Sequence, residues 1–234
     1  MCNLYACRAS QDELRGLFDV PPERDGLGNF APLAAIFPRA DAPVVRLIED
    51  DDDEAESARE LVPMQWGFPM PQRSKRTGEP ILPKAVNNAR DDKLLASPFW
   101  REAFERRRCL VPATAFSEAQ GRSPAVHHWF ALATEATEAD PDARPPFAMA
   151  GLWRRWRGLY RGETRDLLAF TVVTTTPNDL VRPVHPDRMV AILPPEDWEA
   201  WLHAPPEEAL GLVRPFPAER MRVAAKGVGL KADG

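Results

Sequence analysis

No apolar run in the chain approaches the roughly 18 residues that a membrane-spanning helix needs, and no basic segment followed by an apolar stretch opens it. Neither a membrane protein nor a secretory signal is expected. Cysteine is scarce. Cys2, Cys7 and Cys109 are odd in number and lack paired spacing, which argues against a disulfide framework and for a reducing, cytoplasmic setting. Metal-ligand spacing is missing as well: no C-x-x-C occurs, a strand would turn the neighbours His127 and His128 to opposite faces, and His185 and His203 stand apart. A Walker loop, a G-x-G-x-x-G turn and a G-x-S-x-G elbow are all absent, so the motifs imply no nucleotide, no metal and no other cofactor.

What is present is a core. Of 234 residues 44% are hydrophobic, enough for one globular domain over residues 1–234, and no composition shift divides them. The 25 prolines are about twice the usual ~5% share, which favours short strands and many turns over long helices. The net charge of −5 is misleading. Residues 49–56 hold seven acids and no base, a solvated loop that leaves the other 226 residues at +2, seven charges above the whole-chain value. Residues 72–108 carry ten Lys or Arg, among them Arg73, Lys75 and Arg76, against five acids. A local surplus of this kind can neutralise phosphates whatever the global sum, because screening confines the field to about 8 Å; the plainer reading is a solvated face.

Along the chain, Ser10 and Glu13 form a capping box that starts a helix running to about Phe18, after a short strand over Cys2–Ala6. Val44–Ile48 and Leu61–Trp66 flank the acidic run and predict a hairpin. Ser97-Pro98 begins an amphipathic helix with Trp100, Ala103 and Phe104 on one face. Strand-like runs follow at Cys109–Pro112, Trp129–Leu132, Phe147–Trp153, Leu167–Thr174 and Met189–Leu193, with a polar loop over about 134–146. Short helices are expected over Pro194–Leu202 and Pro205–Leu212, and a last strand over Met221–Ala224. The pattern lacks regular β-α-β alternation and predicts an α+β fold with a mostly antiparallel, barrel-like sheet and a few peripheral helices.

Position 2 is chemically unusual. Removal of Met1 would leave a free α-amine and a thiol on adjacent carbons, with ordinary pKa values of about 7.7–8.0 and 8.5, so part of each group would be nucleophilic near neutral pH. Such a 1,2-aminothiol condenses with an aldehyde to an imine and then a five-membered thiazolidine. A terminal cysteine is more often simply a small buried hydrophobe. Asn88, Glu118 and His185 have equally plain structural readings, as a turn cap, a strand residue and a turn before a strand.

Taken in order, the motifs make a set: Met-Cys at the start, Asn29-x-Ala31-Pro32, Trp66-Gly67, Asn88-Ala89-Arg90, Arg107-Arg108-Cys109-Leu110-x-Pro112-Ala113 with Phe116-x-Glu118, Thr174-Thr175, and His185-x-x-Arg188-Met189. This ordered set, spanning Cys2 to about Leu193, resembles the SOS-response-associated peptidase, or abasic-site processing, family. The resemblance implies a β-rich domain, expected to act as a monomer away from membranes, that binds single-stranded DNA and joins its N-terminal cysteine to the ring-opened aldehyde of an abasic site. It implies Cys2 as nucleophile, Asn88 as its positioner, Glu118 as acid and base near the amine, and His185 as the group that assists sugar-ring opening. Arg90 and Arg188 are implied as phosphate contacts and Trp66 as part of an aromatic wedge, beside the basic Arg73, Lys75 and Arg76. Members are also thought to expose the cysteine by self-cleavage, for which ordinary methionine removal suffices here. The chain departs from the family pattern in carrying Asn3-Leu4 after the cysteine, Ser117 and Ala119 around the glutamate, and Asp91-Asp92-Lys93 after Arg90. From the residues themselves two other functions stay open: an N-terminal-nucleophile peptidase or amidase, and a non-catalytic single-stranded DNA-binding module.

Overall fold

A computed structural model describes residues 2–48, 58–160 and 162–233, and the acidic run at 49–56 lies outside them. In chain order the strands are β1 (Tyr5–Cys7), β2 (Leu33–Ile36), β3 (Asp41–Leu47), β4 (Arg59–Trp66), β5 (Phe68–Arg73), β6 (Pro80–Val86), β7 (Asn88–Arg90), β8 (Arg108–Ala113), β9 (Ala115–Gln120), β10 (Val126–Leu132), β11 (Phe147–Tyr160), β12 (Glu163–Thr175), β13 (Met189–Val190), β14 (Ile192–Leu193) and β15 (Met221–Val228). Helix α1 (Gln11–Phe18) follows β1, α2 (Pro98–Arg106) precedes β8, α3 (Glu135–Ala139) follows β10, and α4 (Trp198–His203) and α5 (Pro206–Gly211) precede β15.

The pairings β12–β4, β4–β3, β3–β8, β8–β11 and β11–β12 close a five-stranded ring, the predicted barrel. All are antiparallel except β12–β4. Closure removes the edges that would otherwise invite pairing with another chain. A second sheet, ordered β15-β10-β9-β1-β2, stands beside the barrel. The two meet at Thr114, between β8 and β9, whose N–H donates to the carbonyl of Ala6 at 2.8 Å and whose hydroxyl accepts from Arg8 N–H at 3.1 Å. The same junction therefore anchors the N-terminal strand. Tyr5, Trp66 and Phe170 fill the space between the layers, Tyr5 edge-on to Trp66 at 5.0 Å and Trp66 stacked on Phe170 at 6.4 Å.

The local signals act as expected at both capped helices. In α1 Ser10 and Glu13 cap reciprocally while Leu14 and Phe18 are buried. In α2 Ser97 accepts from Phe99 N–H, and Trp100, Ala103 and Phe104 form the inward face. The β3–β4 hairpin is antiparallel, as its flanking apolar runs suggest. Two differences have clear causes. The polar loop at 134–146 contains the one-turn α3, because Thr134 and Thr137 cap it reciprocally. β11 and β12 continue well past their apolar cores to Tyr160 and Glu163, since a hairpin ladder of Arg155, Arg157, Arg165 and Asp166 needs no burial to pair its backbone.

One excursion positions the functional site. β4 pairs with β12 as far as Trp66, and the chain then leaves through Gly67 to form the β5–β6 hairpin. It returns at Asn87, and β7 resumes parallel pairing with β12, Asn88 opposite Val172. Gly67 has φ +107°, and a Cβ there would sit 2.7 Å from that of Ala85, so only glycine allows the two ends of the excursion to meet. The Trp66 indole N–H closes the base by donating to Asn87 C=O at 3.0 Å.

Candidate active site

Cys2 lies just ahead of β1, at the place where β7 returns to the barrel. Its carbonyl accepts two side-chain amides, from Asn88 Nδ2 at 2.7 Å and Asn87 Nδ2 at 2.9 Å; Asn87 also donates to Asn3 Oδ1 at 2.9 Å. Two amides on one carbonyl fix residue 2 without using its nitrogen or its sulfur. Asn88 is itself buried, and its Oδ1 has no hydrogen-bond partner among the described residues, so it is held by packing. Asn87 was not singled out from the sequence; its doubling with Asn88 was the available signal.

The thiol is 1% exposed and lies 3.4 Å from the carbonyl of Leu4. Burial, reinforced by the negative charge of Glu118, pushes its pKa up to about 12. The sequence-based expectation of a thiol near 8.5 is therefore corrected: desolvation keeps the sulfur protonated at neutral pH. Glu118 is on β9 opposite His128 and is 3% exposed. Burial raises its carboxyl to about 7, where it can both take and give a proton at physiological pH.

His185 is the third group. It sits in the loop before β13, with Nδ1 accepting the backbone N–H of Arg188 at 3.1 Å. That bond assigns the neutral ring proton to Nε2. Partial burial lowers its pKa, so the neutral form dominates at pH 7. A cleft of about 510 Å³ is walled by Asn3, Leu4, Glu118 and His185, and continues to Ser117, Arg122 and His127. A second cleft of about 660 Å³ shares Asn3 and His185 and runs past Arg90, Thr176, Asp187 and Arg188.

Cys2, Asn88, Glu118 and His185 thus converge from four separate segments. The implied DNA contacts do not all follow. Trp66 is fully buried between Tyr5 and Phe170 with its N–H on Asn87, so it serves the core and cannot act as a wedge in DNA. Arg188 is 7% exposed and spans Asp91 at 2.6 Å and the carbonyl of Thr174, which makes it the brace of the His185 loop rather than a free phosphate contact. Arg90 is exposed but forked on Asp92, at 2.9 and 3.1 Å. Arg73, Lys75 and Arg76 are exposed at the far end of the β5–β6 hairpin, roughly 20 Å from Asn87 at ~3.3 Å per residue. His127 was weighed in the sequence only as a metal ligand. It instead pairs through Nδ1 with Ser117 Oγ at 3.1 Å, and among the described residues no group of three or more His, Cys, Asp or Glu gathers as a metal site.

Comparison with known proteins agrees with this geometry. The family model described as SOS response associated peptidase matches residues 1–227. An abasic site processing protein of Bacillus subtilis, YoqW, is 25% identical over 228 residues, covering 94% of this chain and 90% of its own. The chicken abasic site processing protein HMCES is 27% identical over 206 residues, 80% of this chain and 60% of the longer relative. Among solved structures, a Bordetella bronchiseptica protein superposes with TM-score 0.68 at 25% identity, covering 97% of this chain and 99% of that one. A Bacteroides thetaiotaomicron protein gives 0.69 at 21%, covering 97% and 91%. With the match running from the pinned cysteine through the barrel to the last strand, the chain belongs to the SOS response associated peptidase family.

Proposed function

We propose that this protein captures abasic sites in single-stranded DNA by a covalent bond to Cys2. The observation that carries the reading is a pinned, sulfur-bearing residue 2 close enough to feel the charge of Glu118, a carboxyl that burial raises to about 7, beside a cleft whose other wall is His185. The abasic processing relatives support the substrate class.

The chemistry follows from these groups. An abasic sugar is mostly a closed hemiacetal, and opening it needs a proton at the ring oxygen and removal of one from the C1′ hydroxyl; His185 Nε2–H supplies the first and the Glu118 carboxylate takes the second. Once residue 1 is gone, the Cys2 α-amine adds to the C1′ aldehyde and water leaves, giving the imine. The thiol then adds to the imine carbon: the C–S bond forms, the C=N bond becomes single, the S–H proton passes to Glu118, and Glu118 returns one proton to the nitrogen. The product is a thiazolidine, formed with net loss of one water. Because the sulfur is held protonated, the amine acts first and the thiol second. Closure is fast despite this, since both atoms belong to one residue and the effective concentration is high. It also removes the iminium that would otherwise acidify the adjacent C–H and break the strand. A peptidase that began with thiolate attack would need a sulfur ionised at neutral pH, which burial opposes.

The test is to incubate protein lacking Met1, its N-terminus verified by mass spectrometry, with an oligonucleotide carrying one abasic site. A heat-stable adduct weighing the sum of both less one water is expected. Its absence, or its persistence in Cys2→Ala, would remove the reading.

A further inference from the structure

The two clefts meet at Asn3 and His185, so a strand whose sugar reaches Glu118 has one neighbouring phosphodiester in each arm. The arms differ in charge. The arm past Arg90 holds two cations, Arg90 and Arg188, yet each is already paired, with Asp92 and Asp91, and Asp187 lines the same wall. Arg188 is buried in its pair, whereas Arg90 holds only an exposed one that a phosphate could exchange. In the other arm Arg122 has no ion-pair partner among the described residues, and Glu118 is the only carboxyl on the wall. The turn carrying Arg122 is tied to the His185 loop by Gln120 Nε2, which donates to Pro183 C=O at 3.1 Å. Ser117, 3% exposed, fixes the His127 ring through Nδ1 and leaves Nε2 as the atom available to a ligand.

Resting on the function proposed above, we infer that Arg122 and the Ser117-oriented His127 form the phosphate-binding arm of the site. They take the phosphodiester on one side of the abasic sugar, and Arg90 faces the cleft on the other side. Ser117 is a positioning residue here and His127 Nε2 a hydrogen-bond donor to a phosphate oxygen. Serine at 117 is what makes room for this pairing.

Binding to a single strand containing a tetrahydrofuran abasic analogue, which has no aldehyde, isolates this arm from the covalent step. By fluorescence anisotropy Arg122→Ala should weaken binding about tenfold, the usual worth of one charge-assisted phosphate contact. It should also reduce the slope of log K against log salt by about 0.7, the single-strand value for one phosphate. His127→Gln should weaken binding about threefold. A neutral methylphosphonate placed on one side of the analogue should weaken the wild type and add nothing to Arg122→Ala, whereas the same change on the other side should add fully. The inference is overturned if the wild type does not bind this strand, or if both methylphosphonates add fully to Arg122→Ala. Covalent capture with an unaffected Arg122→Ala would sink the phosphate arm alone; the expected affinities without any adduct would sink the proposed function alone.

Discussion

Cys2 and Cys109 are both sealed from solvent in one hydrophobic core, and burial drives both thiols up. Their surroundings separate them. Cys109, on β8, faces Gly151 so closely that a Cβ there would lie 2.8 Å from its sulfur, and its carbonyl is held by the Trp201 indole at 2.9 Å. It is packing material. Cys2 is buried as well, but it lies near Glu118, a carboxyl raised to about 7, and two amides hold its carbonyl. Thiol burial therefore does not separate the proposed nucleophile from the packing residue; what separates them is a nearby carboxyl and a backbone fixed in place.

The contrast can be broken most decisively by exchanging the cysteines for alanine. Cys2→Ala should abolish the heat-stable adduct, while its remaining α-amine still forms an imine that borohydride traps. Cys109→Ala should retain the adduct and lower stability by about 1 kcal/mol through the small cavity it leaves, read by urea titration. If Cys109→Ala lost adduct formation while remaining folded, the distinction would be wrong.

Glu118→Gln comes next, with the rate of adduct formation falling roughly 10²- to 10⁴-fold for loss of a general acid and base. Its stability should move in the opposite direction, and the sign follows from its raised carboxyl. Below about pH 4.5 the group is neutral in the folded and unfolded chain alike; between there and about 7 only the unfolded chain releases the proton, so stability falls as pH rises. Above pH 7 the full penalty, about 3 kcal/mol, is present. Glu118→Gln should thus raise the melting temperature at pH 8 by roughly 5–10 °C and leave it unchanged at pH 4. An equal effect at both pH values would show that burial of the charge is not the cause.

Asn88→Ala should slow adduct formation about tenfold, because Asn87 still holds the Cys2 carbonyl, and Asn87→Ala with Asn88→Ala should cost more than the two separately. Additive losses would mean the amides act independently. The smallest effect belongs to His185→Gln below the point where hemiacetal opening limits the rate: a pre-opened aldehyde substrate should react with it within about threefold of wild type, and a natural abasic site about tenfold more slowly. Equal losses on both substrates would assign His185 to a later step.

The sequence pointed to the site's segments better than to its exposed face. Cys2, Asn88, Glu118 and His185 were picked out only through the ordered motifs of the family resemblance, and the structure brings them near one another; the capped helices and the β3–β4 hairpin were readable because their signals are local. Trp66 and Arg188 were misread for one shared reason: whether an aromatic or a guanidinium faces outward depends on partners distant in sequence, here Tyr5 and Phe170 for the one, Asp91 and Thr174 for the other. Arg122 was not singled out, because nothing local distinguishes an unpaired turn arginine from a paired one.

The closed base of the β5–β6 excursion has a consequence for how the chain can vary. With Gly67 abutting Ala85 and the Trp66 indole latched to Asn87, the two stems are joined before the hairpin begins, so its outer end can be lengthened, shortened or replaced without displacing the asparagines that grip residue 2. Such a protein can change what its hairpin touches while residue 2 stays in register, and a graft at residues 74–79 is the natural place to give it a new reach.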